Sequence, residues 1–185
     1  MALRGERDAG AELDARLSKT RLLALDVDGT LTDGRIVRGP SGKADEYPAF
    51  DVQDGIALLW MRDAGVVVAW ISGRTSPAVD SRARELRVGE IHLAAVSKTE
   101  VLRGIQERLE IAPDETVAMG DDLPDLGLRA RAGFFAAPRN ARPEILERAD
   151  LVTTAPGGRG AVRELCERIL RAQGRWQGIV DGAGR

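Results

Sequence analysis

Short apolar runs separated by amphipathic stretches fill this 185-residue sequence and leave few folds open to it. Residues 22–27, 66–71, 91–94, 117–119 and 134–136 are apolar runs with the length of buried strands. Helical patterns fall between them, over 55–64, 77–86, 99–109, 124–130 and 142–148, and a last one covers 160–172. Strands alternating with helices form βαβ units, so the expected fold class is α/β: a three-layer, Rossmann-like parallel sheet with helices on both faces. Ligands of such sheets bind beyond the carboxyl ends of the strands.

Residues 34–50 break the rhythm. They carry Ile36 and Val37, then the turn-like Gly39-Pro40-Ser41-Gly42, then Tyr47 and Phe50, the pattern of a β-hairpin flap leaving the first strand at its active-site end. The expected organisation is an extension over 1–20, helical or flexible, one domain over 21–174 that includes the flap, and a tail over 175–185. A formal net charge of -2 offers no basic field for nucleic acid or an anionic membrane surface. The charged first twenty residues lack the apolar core of a signal peptide, and no run approaches membrane-spanning length, so the expected location is cytoplasmic. One cysteine, Cys166, and one histidine, His92, exclude a disulfide framework and a Cys/His zinc set. Cys166 lies at helical spacing among Val162, Leu165 and Ile169 and reads as core, and His92 reads as structural.

The chemistry concentrates just past the strands. Asp26-Val27-Asp28-Gly29-Thr30-Leu31-Thr32-Asp33-Gly34 follows the first run; an acidic pair at the end of a buried strand is costly unless cation or anion chemistry uses it. Ile71-Ser72-Gly73-Arg74 ends the second strand with donors suited to phosphate oxygens. Lys98 opens the helix after the third, and Gly120-Asp121-Asp122-Leu123-Pro124-Asp125 ends the fourth. In a parallel sheet these four loops converge.

Hard oxygen donors without histidine or cysteine select magnesium. Asp26, Asp28 and Asp121 are the candidate metal-binding residues, with Asp122 and Asp125 in support. Asp26, with the ordinary aspartate pKa near 3.9, is ionised at neutral pH and is the candidate nucleophile. Asp28 can carry a proton to the leaving alkoxide and later take one from water. Magnesium and Lys98 offset the repulsion between nucleophile and phosphate. Ser72 completes the catalytic set, and Thr30, Gly73 and Arg74 are candidates for substrate contact.

In this order the motifs resemble those of the haloacid dehalogenase superfamily, and within it the 3-deoxy-D-manno-octulosonate 8-phosphate (KDO 8-phosphate) phosphatases. The likeness extends to Val52-Gln53-Asp54-Gly55, to Ser76-Pro77-Ala78-Val79 and to Gly157-Gly158-Arg159-Gly160-Ala161-Val162-Arg163-Glu164. The resemblance implies a fold without a cap domain, hydrolysis of KDO 8-phosphate through an aspartyl phosphate, a role in lipopolysaccharide synthesis, and a homotetramer whose neighbouring subunits line the pocket. It puts Arg159 on the substrate side. The chain departs from the family in three places: residues 92–98 are short and lack a glycine, Pro48 stands where lysine is common, and Gln53 where arginine is frequent. Rival readings are a nonulosonate 9-phosphate phosphatase, a receiver-like phospho-acceptor module and a catalytically weak subunit. Arg74 speaks against the first and Asp28 against the second.

Overall fold

The computed structural model describes residues 2–41 and 46–182, with side chains from residue 10 onward. Six strands, β1 (Leu22–Leu25), β2 (Val67–Ile71), β3 (Glu90–His92), β4 (Thr116–Met119), β5 (Phe134–Ala137) and β6 (Leu151–Val152), form one sheet in the order β3-β2-β1-β4-β5-β6. Every pairing is parallel. From β1 the chain winds first to the β2 side and later to the β4 side, which opens a crevice at the carboxyl end of β1.

Among the described residues eight α-helices complete the fold: α1 (Ala2–Leu17), α2 (Val52–Asp63), α3 (Pro77–Glu85), α4 (Lys98–Leu109), α5 (Leu126–Arg129), α6 (Pro143–Leu146), α7 (Ala161–Ala172) and α8 (Trp176–Gly182). Strand residues alternate between two cores because successive side chains leave opposite faces. Leu23, Leu25, Val68 and Trp70 pack with α2 and α7, whereas Leu22, Ala24, Ala69 and Ile71 pack with α4, α5 and α6. Both faces are covered, which is the three-layer arrangement expected. Cys166 is wholly buried in the first of these cores.

The differences from the sequence expectation have local causes. Helix α2 starts three residues earlier than expected, because Asp51 is its N-cap and accepts the Gln53 N–H at 2.6 Å. The two residues of β6 are too few to show a period, and their place comes from pairing with β5. Within the segment read as a tail, α8 sits with Trp176 edge-on to Trp60, ring centroids 5.6 Å apart. The flap is an antiparallel excursion held by single bridges, Thr32 to Phe50 and Arg38 to Glu46, rather than a continuous ladder. Phe50 stacks on Trp70 at 5.8 Å and pins its base. Gly42, in the expected turn, lies outside the described residues. No other segment interrupts the αβ alternation between Asp26 and Asp121, so among the described residues there is no cap domain. No helix there is long and apolar enough to cross a membrane.

One buried carboxylate joins the layers behind the crevice. Asp54, in the first turn of α2, is 1% exposed and accepts the N–H groups of Gly160 at 3.2 Å and Arg163 at 2.7 Å, capping α7 from outside. Burial pushes its carboxyl up to about 6 despite the opposing pull of those two donors. A carboxyl raised in the fold stabilises fully below the ordinary aspartate value and loses that contribution as pH rises through its folded pKa. Asp54→Asn should therefore flatten the fall of stability between about pH 4 and pH 6, an amplitude of up to ~3 kcal/mol for a shift of about two units. Urea midpoints of both proteins across that range check this; parallel slopes would contradict it.

Candidate active site

Four loops meet at the carboxyl edge of the sheet. The first carries Asp26, whose backbone N–H prolongs the β1–β4 ladder onto the Met119 carbonyl at 3.0 Å and so aims the residue at the crevice. The turn after it needs Gly29: its φ is +106°, and a Cβ there would lie 2.2 Å from Asp121 Oδ2. Behind this turn Gly157 presses so close that a Cβ would meet the Gly29 carbonyl at 1.7 Å, and its N–H donates to Asn140 Oδ1 at 2.8 Å.

Asp26, Asp121 and Asp125 each bring a carboxylate oxygen within 4.8 Å of the others. Asp26 is 5% exposed and Asp125 2%. Lys98, the first residue of α4, pairs with Asp26 and, at 2.6 Å, with Asp125. The second Asp125 oxygen accepts the N–H groups of Asp121 and Asp122 at 2.9 and 3.1 Å, so Asp125 braces the loop as well as the lysine. Thr30 Oγ1 donates to Asp121 Oδ1 at 3.1 Å.

Three carboxylates face one ammonium in a buried space, and the acid equilibria record the excess. Burial first, then the Asp125 charge, raises the Asp26 carboxyl well above the ordinary aspartate value, with Lys98 opposing. Asp121 is pushed up to about 6, again by burial and then Asp125, against the Thr30 hydrogen bond. Lys98 itself is held above its usual value because Asp26 and Asp125 together outweigh its own burial. Asp26 is therefore not the ordinary carboxyl expected from sequence, and a further cation beside it would favour its charged form. The trio fits one, since its donors are all carboxylate oxygens, the set preferred by magnesium.

Asp28 stands outside the trio. Its Oδ2 accepts from the buried Ser72 hydroxyl at 3.0 Å, and its Oδ1 lies 3.7 Å from Arg74 Nη1. Of the three expected metal-binding residues, Asp26 and Asp121 bring their carboxylates together with that of Asp125, and the Asp28 carboxylate meets Ser72 and Arg74. The cleft above, about 490 Å³, is walled by Asp28, Gly73, Arg74, Lys98 and Asp122 among others. Thr30 is fully buried beneath it, and Asp122 is exposed at its edge, accepting the Leu123 N–H at 2.8 Å. Arg159 is exposed and does not line this cleft.

The shortened segment before Lys98 still delivers it. Ala94 takes the left-handed conformation, φ 57°, and the segment is tied to the second loop by Ala94 N–H to Arg74 O at 3.1 Å and Ala95 N–H to Ser72 O at 2.9 Å. His92 contacts Glu90 at 2.9 Å and its carbonyl accepts the Ser72 N–H, a structural place. Sequence reasoning missed Glu46, a buried flap carboxylate 2.7 Å from Arg74. Its signal was slight: an acidic residue beside Tyr47 and Phe50 in a flap otherwise read for its turn.

A family model for haloacid dehalogenase-like hydrolases matches residues 78–164. The 3-deoxy-D-manno-octulosonate 8-phosphate phosphatase of Escherichia coli (strain K12) is 38% identical over 165 residues, 89% of this chain and 87% of that protein. Among solved structures, the phosphatase of that name from Moraxella catarrhalis, in complex with magnesium, phosphate and KDO, superposes with a TM-score of 0.88 at 38% identity, covering 92% of this chain and 97% of that one. The cobalt-bound enzyme from Haemophilus influenzae gives 0.86 at 31% identity, covering 91% and 97%. With the parallel sheet, the four converging loops and this similarity over nearly its whole length, the chain belongs to the 3-deoxy-D-manno-octulosonate 8-phosphate phosphatase family of haloacid dehalogenase-like hydrolases.

Proposed function

We propose that this chain hydrolyses KDO 8-phosphate to KDO and inorganic phosphate, with magnesium and through an aspartyl phosphate on Asp26. The observation that carries this reading is the trio Asp26–Asp121–Asp125 with Lys98 at the floor of the cleft. An Asp26 oxygen attacks phosphorus as the bond to the sugar oxygen breaks, and Asp28, steadied by Ser72, gives the leaving alkoxide its proton. Water then attacks phosphorus, its proton passes to Asp28, and phosphate leaves with Asp26 regenerated. Lys98 holds the Asp26 carboxylate in place and offsets phosphate charge. A magnesium ion, when bound by Asp26 and Asp121, supplies the further positive charge that lets two anions meet.

Substrate choice is assigned to Arg74, the cleft cation besides Lys98 among the described residues. A guanidinium matches a sugar carboxylate bidentately. The Moraxella catarrhalis relative was solved with KDO, which supports the sugar-acid class. The finer reading is a cytoplasmic homotetramer serving lipopolysaccharide synthesis, with residues 21–174 as its catalytic domain. Exposed Ile36, Val37, Tyr47 and Val52 on and beside the flap, and Val96 at the cleft mouth, support burial against further copies. Arg159 would then act in a neighbour's cleft.

Phosphate release with and without magnesium, from KDO 8-phosphate, a nonulosonate 9-phosphate and hexose phosphates, tests the reading. KDO 8-phosphate should lead, and only with metal; equal rates on hexose phosphates remove the sugar-acid assignment. Arg159→Ala should cost roughly tenfold or more on KDO 8-phosphate and much less on a simple aryl phosphate. Equal losses on both would return Arg159 to a structural part.

A further inference from the structure

Glu46 lies on the returning arm of the flap with its side chain 6% exposed, and its two oxygens serve two arginines. Oε1 accepts from Arg38, on the outgoing arm, at 2.9 Å from Nη2 and 3.0 Å from Nε. Oε2 accepts from Arg74 Nη2 at 2.7 Å. Arg74 is thereby stretched between two carboxylates, Glu46 close by and Asp28 at 3.7 Å.

A long arginine side chain facing a cleft has many rotamers, and fixing one of them costs entropy when substrate binds. Glu46 removes that freedom in advance. It grips one terminal nitrogen and leaves the other near Asp28. Without the grip, the nearest anion for Arg74 is Asp28 itself. The guanidinium would then fall onto the carboxylate that handles the proton, and away from any substrate anion. The Glu46 charge does not repel that anion strongly, because Arg38 and Arg74 share it.

We propose that Glu46 is a positioning residue for substrate selection: from the flap it holds Arg74 in the orientation that reads the carboxylate of the sugar acid. This rests on the role given to Arg74 above. The flap then contributes to specificity through a fixed ion pair, with no flap contact to substrate required of Glu46.

The test is a cycle of Glu46→Gln, Arg74→Ala and the double variant, assayed with magnesium on KDO 8-phosphate and on an aryl phosphate. Glutamine keeps the shape and an acceptor and removes the charge. In the parent background it should raise KM for the sugar acid about tenfold with little change in kcat, shifting the ratio of the two efficiencies by about the same factor. In the Arg74→Ala background it should add nothing. Glu46→Asp, which keeps the charge one methylene further back, should recover part of the KM, and it carries the same cycle if the glutamine variant does not fold. A selective Arg74→Ala with a silent Glu46 variant, or one whose effect is the same in both backgrounds, overturns the positioning role alone. An Arg74→Ala variant that changes neither substrate overturns the reading of Arg74 and the positioning role with it.

Discussion

Asp26→Asn should abolish phosphate release, by at least about a thousandfold, while the fold persists. An amide cannot form the acyl phosphate, and it withdraws one carboxylate from the trio with Asp121 and Asp125. The fold should tolerate the change because the carboxyl it replaces is itself strained by burial and by Asp125. Its backbone N–H bond to Met119 is unaffected by the side chain. Lys98 keeps its Asp125 partner at 2.6 Å. Stability without metal should therefore stay within about 1 kcal/mol of the parent, since the lost ion pair and the lost desolvation cost oppose each other. Stabilisation by added magnesium should shrink. Retention of more than about a hundredth of the parent rate in a folded variant would take the nucleophile role away from Asp26.

Lys98→Met is the second large effect, and it should strike stability as well as rate. Methionine keeps most of the aliphatic stem in a site where Lys98 is 8% exposed, so packing is largely preserved and charge is what changes. Two buried carboxylates then lose their shared ammonium. Removing one partner of a buried pair costs about 3–5 kcal/mol, because it leaves the other charge uncompensated. The loss should be largest in chelator and smaller with magnesium, since a cation bound by Asp26 and Asp121 relieves part of the same negative charge. Turnover should fall by about a thousandfold or more even at saturating metal, because among the described residues no other cation at the cleft floor offsets the phosphate from that side. Denaturation curves in chelator and in magnesium, alongside phosphate release, measure both. A variant as stable as the parent in chelator would show that Asp26 and Asp125 are relieved by something other than Lys98.

The place of these residues followed from the chain order alone. Four strands, each followed within six residues by a carboxylate, a hydroxyl or a lysine, put Asp26, Ser72, Lys98 and Asp121 at one edge once the sheet is parallel, and the turn at Gly29 lets Asp121 approach. The family resemblance rests on the same strings. What depends on direction rather than order was not legible. A two-residue spacing puts Asp26 and Asp28 on one side of an extended strand, but β1 ends at Leu25, and in the loop beyond it Asp28 turns to Ser72 while Asp125 completes the trio. Asp125 gets there through a short 3-10 turn that brings its carboxylate back onto the Asp121 and Asp122 amides.

The α/β class, the edge of the sheet where the motifs gather and the family are legible in the chain, because hydrophobic period and motif order are local properties. Packing alone brings Asp26 and Asp125 to one ammonium, sets Asp54 as a cap on α7 from another helix, and puts Glu46 on Arg74. The Glu46 and Asp54 pairings join residues 28 to 109 positions apart. Each is chosen by burial: a charge withdrawn from water must find a partner wherever the packed chain brings one, and no sequence spacing records where that is.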